Sequence, residues 1–204
     1  MTTSRSKPYH HGDLRRALIA AGIGLLTEGG AAALDLRKVA RKAGVSHAAP
    51  YRHFEDKRAL LAAIAEEGFL RLTGHLENAL KENETASPLL SLAQAYVSFA
   101  LAEPALMREM FSGLSIDRLS YDALHAASKS AFNVLLEVIQ DEQAAGRFVQ
   151  DDPQKLVLVM WSLFHGLTML LLENQMPMVT VEPDGVNVII QESVTRLLDG
   201  LRPR

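Results

Sequence analysis

The chain has 204 residues, of which 48% are hydrophobic and 22% are charged, with a formal net charge of −3. This composition excludes a disordered protein and provides enough apolar residues for a substantial core in one or two domains. Because cysteine is absent, disulfides, thiolate nucleophiles and cysteine–metal sites are excluded. The absence also fits a reducing cytoplasm, where we expect the protein to act.

Charge is distributed unevenly along the chain. Residues 1–58 hold eleven Lys and Arg against five Asp and Glu, whereas residues 59–204 hold ten against nineteen. A basic head on an acidic body indicates that the head binds a polyanion and the body does not. The alternative interpretation is a solvated surface whose charge is simply uneven.

The head is predicted to contain three helices. Apolar residues recur with helical spacing over 14–25, until Gly29-Gly30 stops the helix, and again over 36–43 behind Asp35 as a plausible N-cap. A third, very short helix ends near His53. The N-terminal stretch before the first helix is a polar arm that contains Arg5 and Lys7 and lacks the apolar core of a secretory signal.

The rest of the chain also reads as helix, with no strand and no internal repeat. Asp56 caps a long helix to about Leu80, and the polar segment 81–87 follows as a linker or loop. Proline opens several of the later helices, and Gly146 stops one of them. These helices are predicted over 88–102, from 104, over 121–145, over about 153–173 and over 185–198, with a loop at 174–184.

One segment is apolar nearly all round. Residues 156–172 carry no formal charge, and charged residues flank them closely. A helix of this kind is buried somewhere, and at 17 residues it lies at the short edge of the membrane-spanning range. We expect it in the core or in a protein–protein interface and expect no membrane contact; a membrane span is the alternative.

The segment 36–57, LRKVARKAGVSHAAPYRHFEDK, predicts a helix-turn-helix. Gly44 occupies the turn position that needs an unusual φ, and the small Ala40 lets two helices cross closely. Val39, Val45 and Phe54 are expected to pack inward. In such a motif the second helix lies in the major groove of DNA.

The residues around this second helix suit contact with DNA. His47 and the methyl groups of two alanines lie at its N-terminal end, where base edges are met, whereas the polar tips of Tyr51 and His53 suit phosphates. Lys57 begins the next helix, whose free N–H groups favour a phosphate. The DNA-binding candidates are Arg37, His47, Ala48, Ala49, Tyr51, Arg52, His53 and Lys57.

Two of these residues have a structural alternative, and one neighbour is unusual. The alternative interpretation is that Tyr51 covers the small core and that His53 satisfies a backbone group. Pro50 removes a helical hydrogen bond if Ser46 is the N-cap, but stays in the first turn at little cost if His47 is the N-cap. We favour His47 as the N-cap.

Residues 13–61 resemble the DNA-binding head of the TetR (tetracycline-repressor-like) regulators. The resemblance rests on the Glu28-Gly29-Gly30 end of the first helix, on VARKAGVS at 39–46 and on YRHFEDKRALL at 51–61. It places His47, Ala49, Tyr51, His53 and Lys57 on DNA-contacting positions of the family motif. Farther along, WSLFHG at 161–166 is similar to the W…HG signature of a subclass of C-terminal domains.

This resemblance implies an all-α protein with two parts. A DNA-binding head at 1–58, with its basic arm, joins a helical ligand-binding and dimerisation body at 59–204. The implied function is sequence-specific transcriptional regulation, as a repressor by family habit. The implied homodimer forms through about 153–173 and 185–198 and reads double-stranded DNA at a pseudo-palindromic operator.

The resemblance also implies a small-molecule effector that releases the DNA. The candidate pocket residues are mostly apolar, which favours an apolar or aromatic effector, although ordinary core packing is the alternative for each: Phe99, Met107, Met110, Phe111, Phe132, Trp161 and His165. We expect no cofactor and no metal, because His125 and His165 lack partners at ligand spacing. No nucleophile–base set or phosphate loop points to an enzyme. The rival classes are a binding module that has lost DNA binding and an architectural DNA binder.

Overall fold

Helices make up all the regular secondary structure of the part of the chain that the computed structural model describes, which is residues 11–82, 87–112, 120–176 and 183–202. The prediction of an all-α fold is confirmed. The N-terminal arm with Arg5 and Lys7, and parts of the predicted loops at 81–87 and 174–184, lie outside the described residues. The helices are α1 (His11–Ala33), α2 (Leu36–Lys42), α3 (Lys57–Glu82), α4 (Pro88–Ala102), α5 (Pro104–Phe111), α6 (Asp122–Ala144), α7 (Pro153–Leu172) and α8 (Pro183–Leu201).

The head is a small bundle around α1. Helix α1 packs against α2 and against the start of α3, and the residues between them exclude water. At Gly29 and Gly30 the backbone of α1 leaves helical geometry, and one further turn continues to Ala33. The predicted stop is therefore a break followed by a short extension. The core of the head comprises Leu18, Val39, Ala40, Phe54 and Leu60.

The body is organised around α3 and α4. Helix α3 packs against α4, α5 and α6, while α4 also packs against α7 and α8, and α6 packs against α7. Because α3 begins in the head and runs through the body, it is continuous across the domain boundary predicted at 58/59. Helix α5 also packs against α1, so α5 as well as α3 connects the body to the head.

The helix ends follow the proline and glycine signals closely. Helices α4, α5 and α7 begin at their predicted prolines, and α6 ends just before Gly146, which has a φ of +71°. The last helix was predicted too short, because α8 begins at Pro183 and extends to Leu201. Proline fits the first turn of a helix, where its missing N–H has no acceptor to lose. Pro183 was therefore a signal in the sequence for the earlier start of α8.

Helix α7 is long and apolar enough to cross a membrane by composition alone. In the structure, however, it packs against α4 and α6. Val157, Met160 and Phe164 are buried by this packing. This arrangement agrees with the interpretation that 156–172 lies in a protein core or in a protein–protein interface, since one side of the helix is part of the core.

Candidate nucleic-acid interface and body cavity

The first helix and the turn of the helix-turn-helix are built as the sequence predicts. The Asp35 carboxylate accepts a hydrogen bond from the backbone N–H of Arg37 at 2.6 Å, which caps α2. After α2, Gly44 takes a φ of +70°, a conformation that favours glycine over residues with a Cβ. The backbone N–H of Val45 then donates to the Ala40 carbonyl at 3.0 Å and closes the turn. The next segment is thereby directed across the head.

The recognition segment, residues 46–54, is not the short α-helix that was predicted from Ser46 or His47. It consists of a turn, in which the Ala49 N–H donates to the Ser46 carbonyl at 2.9 Å, followed by one 3₁₀ turn at Pro50–Arg52. Pro50 has no N–H to donate to the carbonyl four residues earlier. The helical hydrogen bonds therefore begin only after Pro50, which occupies the first helical position at little cost.

The recognition segment exposes its polar side chains to solvent and buries two of its apolar residues. The buried residues are Pro50 and Phe54. Tyr51 is 54% exposed and so does not serve mainly to cover the core. Of the other predicted DNA contacts, Ala49 and His53 are half-buried; the exposed ones are Arg37, His47, Ala48, Arg52 and Lys57.

Lys57 joins two elements of the head. Its Nζ donates a hydrogen bond to the Ala31 carbonyl, at 2.7 Å, at the end of α1. Next to it, the Asp56 carboxylate accepts from the Ala59 N–H at 2.8 Å and caps α3, as predicted. Lys57 is itself the first residue of α3, where the free N–H groups and the helix dipole favour an anion.

Several cations of the head have no acidic partner. Arg15 pairs with Glu66 at 3.1 Å, and Lys42 pairs with Glu28, which ties α2 to α1. In contrast, the arginines near the recognition segment form no ion pair with any acid in the described part of the chain. These are Arg37, Arg41, Arg52 and Arg58. Their positive charge is free to interact with phosphates.

The body contains a cavity of about 370 Å³ between α3, α5, α6 and α7, which we call the aromatic cavity. Three of the predicted pocket residues line it, namely Phe111, Phe132 and Trp161. Sequence reasoning missed the other five, although the three that lie on α6 share a helical face with Phe132. These five are Phe69, His125, Ser128, Lys129 and Leu158.

The remaining predicted pocket residues do not line this cavity. Phe99, Met107 and Met110 are buried in the core. His165 lies behind the cavity wall, where its Nδ1 is 3.0 Å from the hydroxyl of Tyr96 and its ring is 4.3 Å from that of Phe111. These contacts hold the rings behind the cavity in fixed orientations.

Helices α7 and α8 both expose large apolar side chains, which together we call the apolar face. The most exposed member, Leu158, is 64% accessible. Along α7, small Ser162 and Gly166 are also exposed between the larger apolar residues, so a second helix can approach closely. The face consists of Leu158, Val159, Leu170 and Val188.

Comparison with known proteins matches both parts of the chain. Residues 18–64 match the family described as bacterial regulatory proteins, tetR family, and residues 89–201 match the family described as tetracyclin repressor-like, C-terminal domain. A solved structure of a protein of unknown function from Rhodococcus sp. RHA1 is similar over 97% of this chain and 100% of its own, with 36% identity and a TM-score of 0.84. The W…HG detail stays a prediction.

Curated relatives match a part of the chain. The tetracycline repressor protein class G of Vibrio anguillarum is 45% identical over 67 residues, which is 33% of this chain and 31% of that protein. The nucleoid occlusion factor SlmA of Actinobacillus pleuropneumoniae is 34% identical over 88 residues, 42% of this chain and 44% of SlmA. The chain spans less than half the length of these two relatives.

Proposed function

The chain belongs to the TetR family of bacterial regulatory proteins, which are transcriptional regulators and not enzymes, and from this premise we propose that it is a ligand-responsive repressor binding a pseudo-palindromic operator as a homodimer. The observation that carries the proposal is the recognition segment, whose polar side chains lie exposed over buried Pro50 and Phe54, among arginines that form no ion pair with the described residues. That combination suits a surface that contacts DNA.

The proposed contacts divide into two groups. His47, Ala48 and Ala49 lead the recognition segment and, with Arg37, meet base edges in the major groove. The second group holds the phosphate backbone and sets the register of the head. It consists of Tyr51, Arg52, His53 and Lys57.

The homodimer is supported by the apolar face on α7 and α8. Exposed leucine and valine side chains clustered on one side of a body usually mark an interaction surface. Two copies packed through this face, about 153–173 and 185–198, bury it and place two heads on one side of the dimer. Two heads read two half-sites about one turn of DNA apart.

The proposed response to an effector follows from α3 and α5. Both helices contribute a side chain to the aromatic cavity, Phe69 from α3 and Phe111 from α5. Both also contact the head, since α3 begins there and α5 packs against α1. A small apolar or aromatic molecule in the cavity would shift these helices, change the separation of the heads and lower operator affinity, by a coupling of about 1–3 kcal/mol.

Selection from a randomised DNA pool tests this function. The purified protein is incubated with the pool, the bound fraction is recovered over several rounds, and the enriched sequences are read. We expect an inverted repeat whose half-sites are centred about 10 base pairs apart or a multiple of that spacing. Enrichment without an inverted repeat would contradict the homodimeric operator, and no enrichment would contradict sequence-specific binding.

A further inference from the structure

The aromatic cavity has two chemically different sides. Among the described residues that line it, the polar ones all lie on α6, namely His125, Ser128 and Lys129. The opposite walls are apolar, because the lining residues of α3, α5 and α7 are aromatic or aliphatic. A ligand that fills the cavity therefore needs one polar end and one apolar end.

The polar side carries a positive charge that has no ion-pair partner in the described part of the chain. Lys129 is exposed at the cavity, and none of the described residues that line the cavity is an acid. It is also the single Lys or Arg between 122 and 144, in a body where acids outnumber bases nineteen to ten. His125 lies one helical turn before it on the same face, with a ring nitrogen that can donate a hydrogen bond.

The apolar side is shaped by rings rather than by aliphatic chains. Trp161 lies between Phe111 and Phe132, with ring centroids 6.1 Å and 6.3 Å away. Phe69 meets Phe111 edge-on at 5.4 Å. Rings in such arrangements attract a further ring through offset or edge-to-face contact. The volume of about 370 Å³ is near the lower end of ligand pockets, which favours a compact ligand.

We propose that the aromatic cavity binds an aromatic carboxylate, with the ring system against Trp161, Phe111 and Phe132 and the carboxylate against Lys129 and His125. This inference rests on the proposed function, because it names the chemical class of the effector for the body of a ligand-responsive regulator. The cationic end selects a carboxylate over a neutral group of equal shape. The ring walls select an aromatic body over an alkyl chain.

Trp161 makes the test direct, because it is the chain's one tryptophan and it lines the cavity. The whole protein, free of DNA, is titrated with 4-phenylbenzoate, with the neutral 4-phenylbenzamide and with octanoate, following tryptophan fluorescence and confirming each Kd by calorimetry. We expect saturable binding of 4-phenylbenzoate, about fivefold tighter than of the amide, which corresponds to ~1 kcal/mol for an exposed ion pair. Octanoate should bind more weakly than 4-phenylbenzoate.

Two matched variants assign the charge. Lys129→Gln should bind 4-phenylbenzoate and 4-phenylbenzamide with equal affinity, while Lys81→Gln, which removes the same charge from the exposed end of α3, should keep the preference for the acid. Circular dichroism checks that both variants stay folded. Absence of saturable binding, equal affinity of wild type for acid and amide, or octanoate binding as tightly as 4-phenylbenzoate would overturn the inference.

Failure of this inference is distinguishable from failure of the proposed function. The fluorescence titration contains no DNA, and operator binding is measured on its own. Specific operator binding without binding of the aromatic acid overturns the cavity assignment alone. Binding of the acid that leaves operator affinity unchanged supports the cavity assignment and contradicts the proposed ligand response.

Discussion

Lys57 combines a structural contact with a proposed DNA contact. One of its three N–H groups donates a hydrogen bond to the Ala31 carbonyl, so two donors stay available for a phosphate oxygen. The side chains of the exposed His47 and Arg37 form no such hydrogen bond with the described part of the chain. The two kinds of residue should therefore behave differently when they are replaced.

We predict that Tyr51→Phe and Lys57→Gln weaken binding to all DNA sequences alike, and that Lys57→Gln lowers the salt slope of log K by about one. His47→Ala and Arg37→Ala should instead relax sequence preference, at a cost of about 1–3 kcal/mol on the best site. Titrations of each variant on the selected operator and on a scrambled duplex measure both effects. Equal losses on both duplexes for all four variants would contradict this division of roles.

Glu109 is a buried acid whose ionisation opposes folding. It is 5% exposed, and burial raises the pKa of its carboxyl above the ordinary 4.5, while the hydrogen bond with Ser112 and the charge of Lys57 partly oppose the shift. The folded state then binds the proton more tightly than the unfolded state. Its contribution is most favourable at low pH and is lost as the pH rises from about 4.5 through the raised value.

We predict that Glu109→Gln raises the Tm at pH 8, because the neutral amide avoids the cost of burying a charge. The gain should shrink toward zero as the pH falls to about 4.5, where the wild-type carboxyl holds its proton. Thermal unfolding across this pH range measures the difference. Glu173→Gln serves as the control, since this exposed carboxylate pairs with Arg108 and should give no gain. A Glu109→Gln gain that is independent of pH would contradict the explanation.

At the scale of elements, the contact between α3 and α5 depends on Gly68. A Cβ added at Gly68 would lie 2.6 Å from Sδ and 2.7 Å from Cγ of Met110, and 3.1 Å from Cδ1 of Leu106. Both neighbours are buried, so they have little room to move. This close approach brings α5 against α3, the pair of helices that connects the cavity to the head.

We predict that Gly68→Ala destabilises the protein by about 1 kcal/mol net, because overpacking costs ~1–3 kcal/mol while alanine's helix propensity returns ~1 kcal/mol. The Tm should fall by about 2–4 °C. Gly74→Ala on the same helix is the matched control, since nothing lies within 4 Å of its added Cβ. It should raise the Tm by a similar amount through propensity alone. If both variants raise the Tm, the close packing at Gly68 is not limiting.

The helical spacing of apolar residues and the positions of proline and glycine were enough to predict most of the helices. Proline and glycine marked the ends of α4, α6 and α7 because their effect on the backbone is local. The recognition segment was not predictable in the same way. Residues 46–53 can form either an α-helix or a turn with 3₁₀ geometry. The outcome depends on the free energy of the hydrogen bond lost at Pro50 and on that of burying Phe54, and the second involves packing against α1 and α2.

The aromatic cavity was only partly predictable for a related reason. Phe111, Phe132 and Trp161 were recognisable as aromatic residues of the body, but so were residues such as Phe99, which the fold buries elsewhere. A cavity is a space left between helices, and its lining depends on their crossing angles and depth. For Lys129 the helical spacing with Phe132 was a weak signal, because a lysine on a helix is usually an ordinary solvated residue.

The proposed binding of a pseudo-palindromic operator requires two copies of the chain. Val159 is 51% exposed on the apolar face of α7, whereas Leu70 on α3 is exposed to a similar degree, 50%, away from that face. In a two-fold interface the same surface patch of each copy meets the other. A charge introduced into the patch is therefore placed twice in one interface.

We predict that Val159→Glu shifts the protein to a monomer, as measured by analytical ultracentrifugation, and weakens operator binding by about tenfold or more, because each head then binds alone. Leu70→Glu should leave both the dimer and the operator affinity unchanged. A Val159→Glu protein that stays dimeric would show that the copies associate through another surface.

Binding to the DNA just upstream of its own gene tests whether this chain is a sequence-specific DNA-binding regulator. The purified protein is titrated against this DNA and against a scrambled duplex at two salt concentrations. The account predicts tight binding centred on an inverted repeat, weaker at the higher salt because phosphate contacts release counterions. Binding no tighter than to the scrambled duplex would contradict regulation of its own promoter and would direct the search to other functions of the helical body.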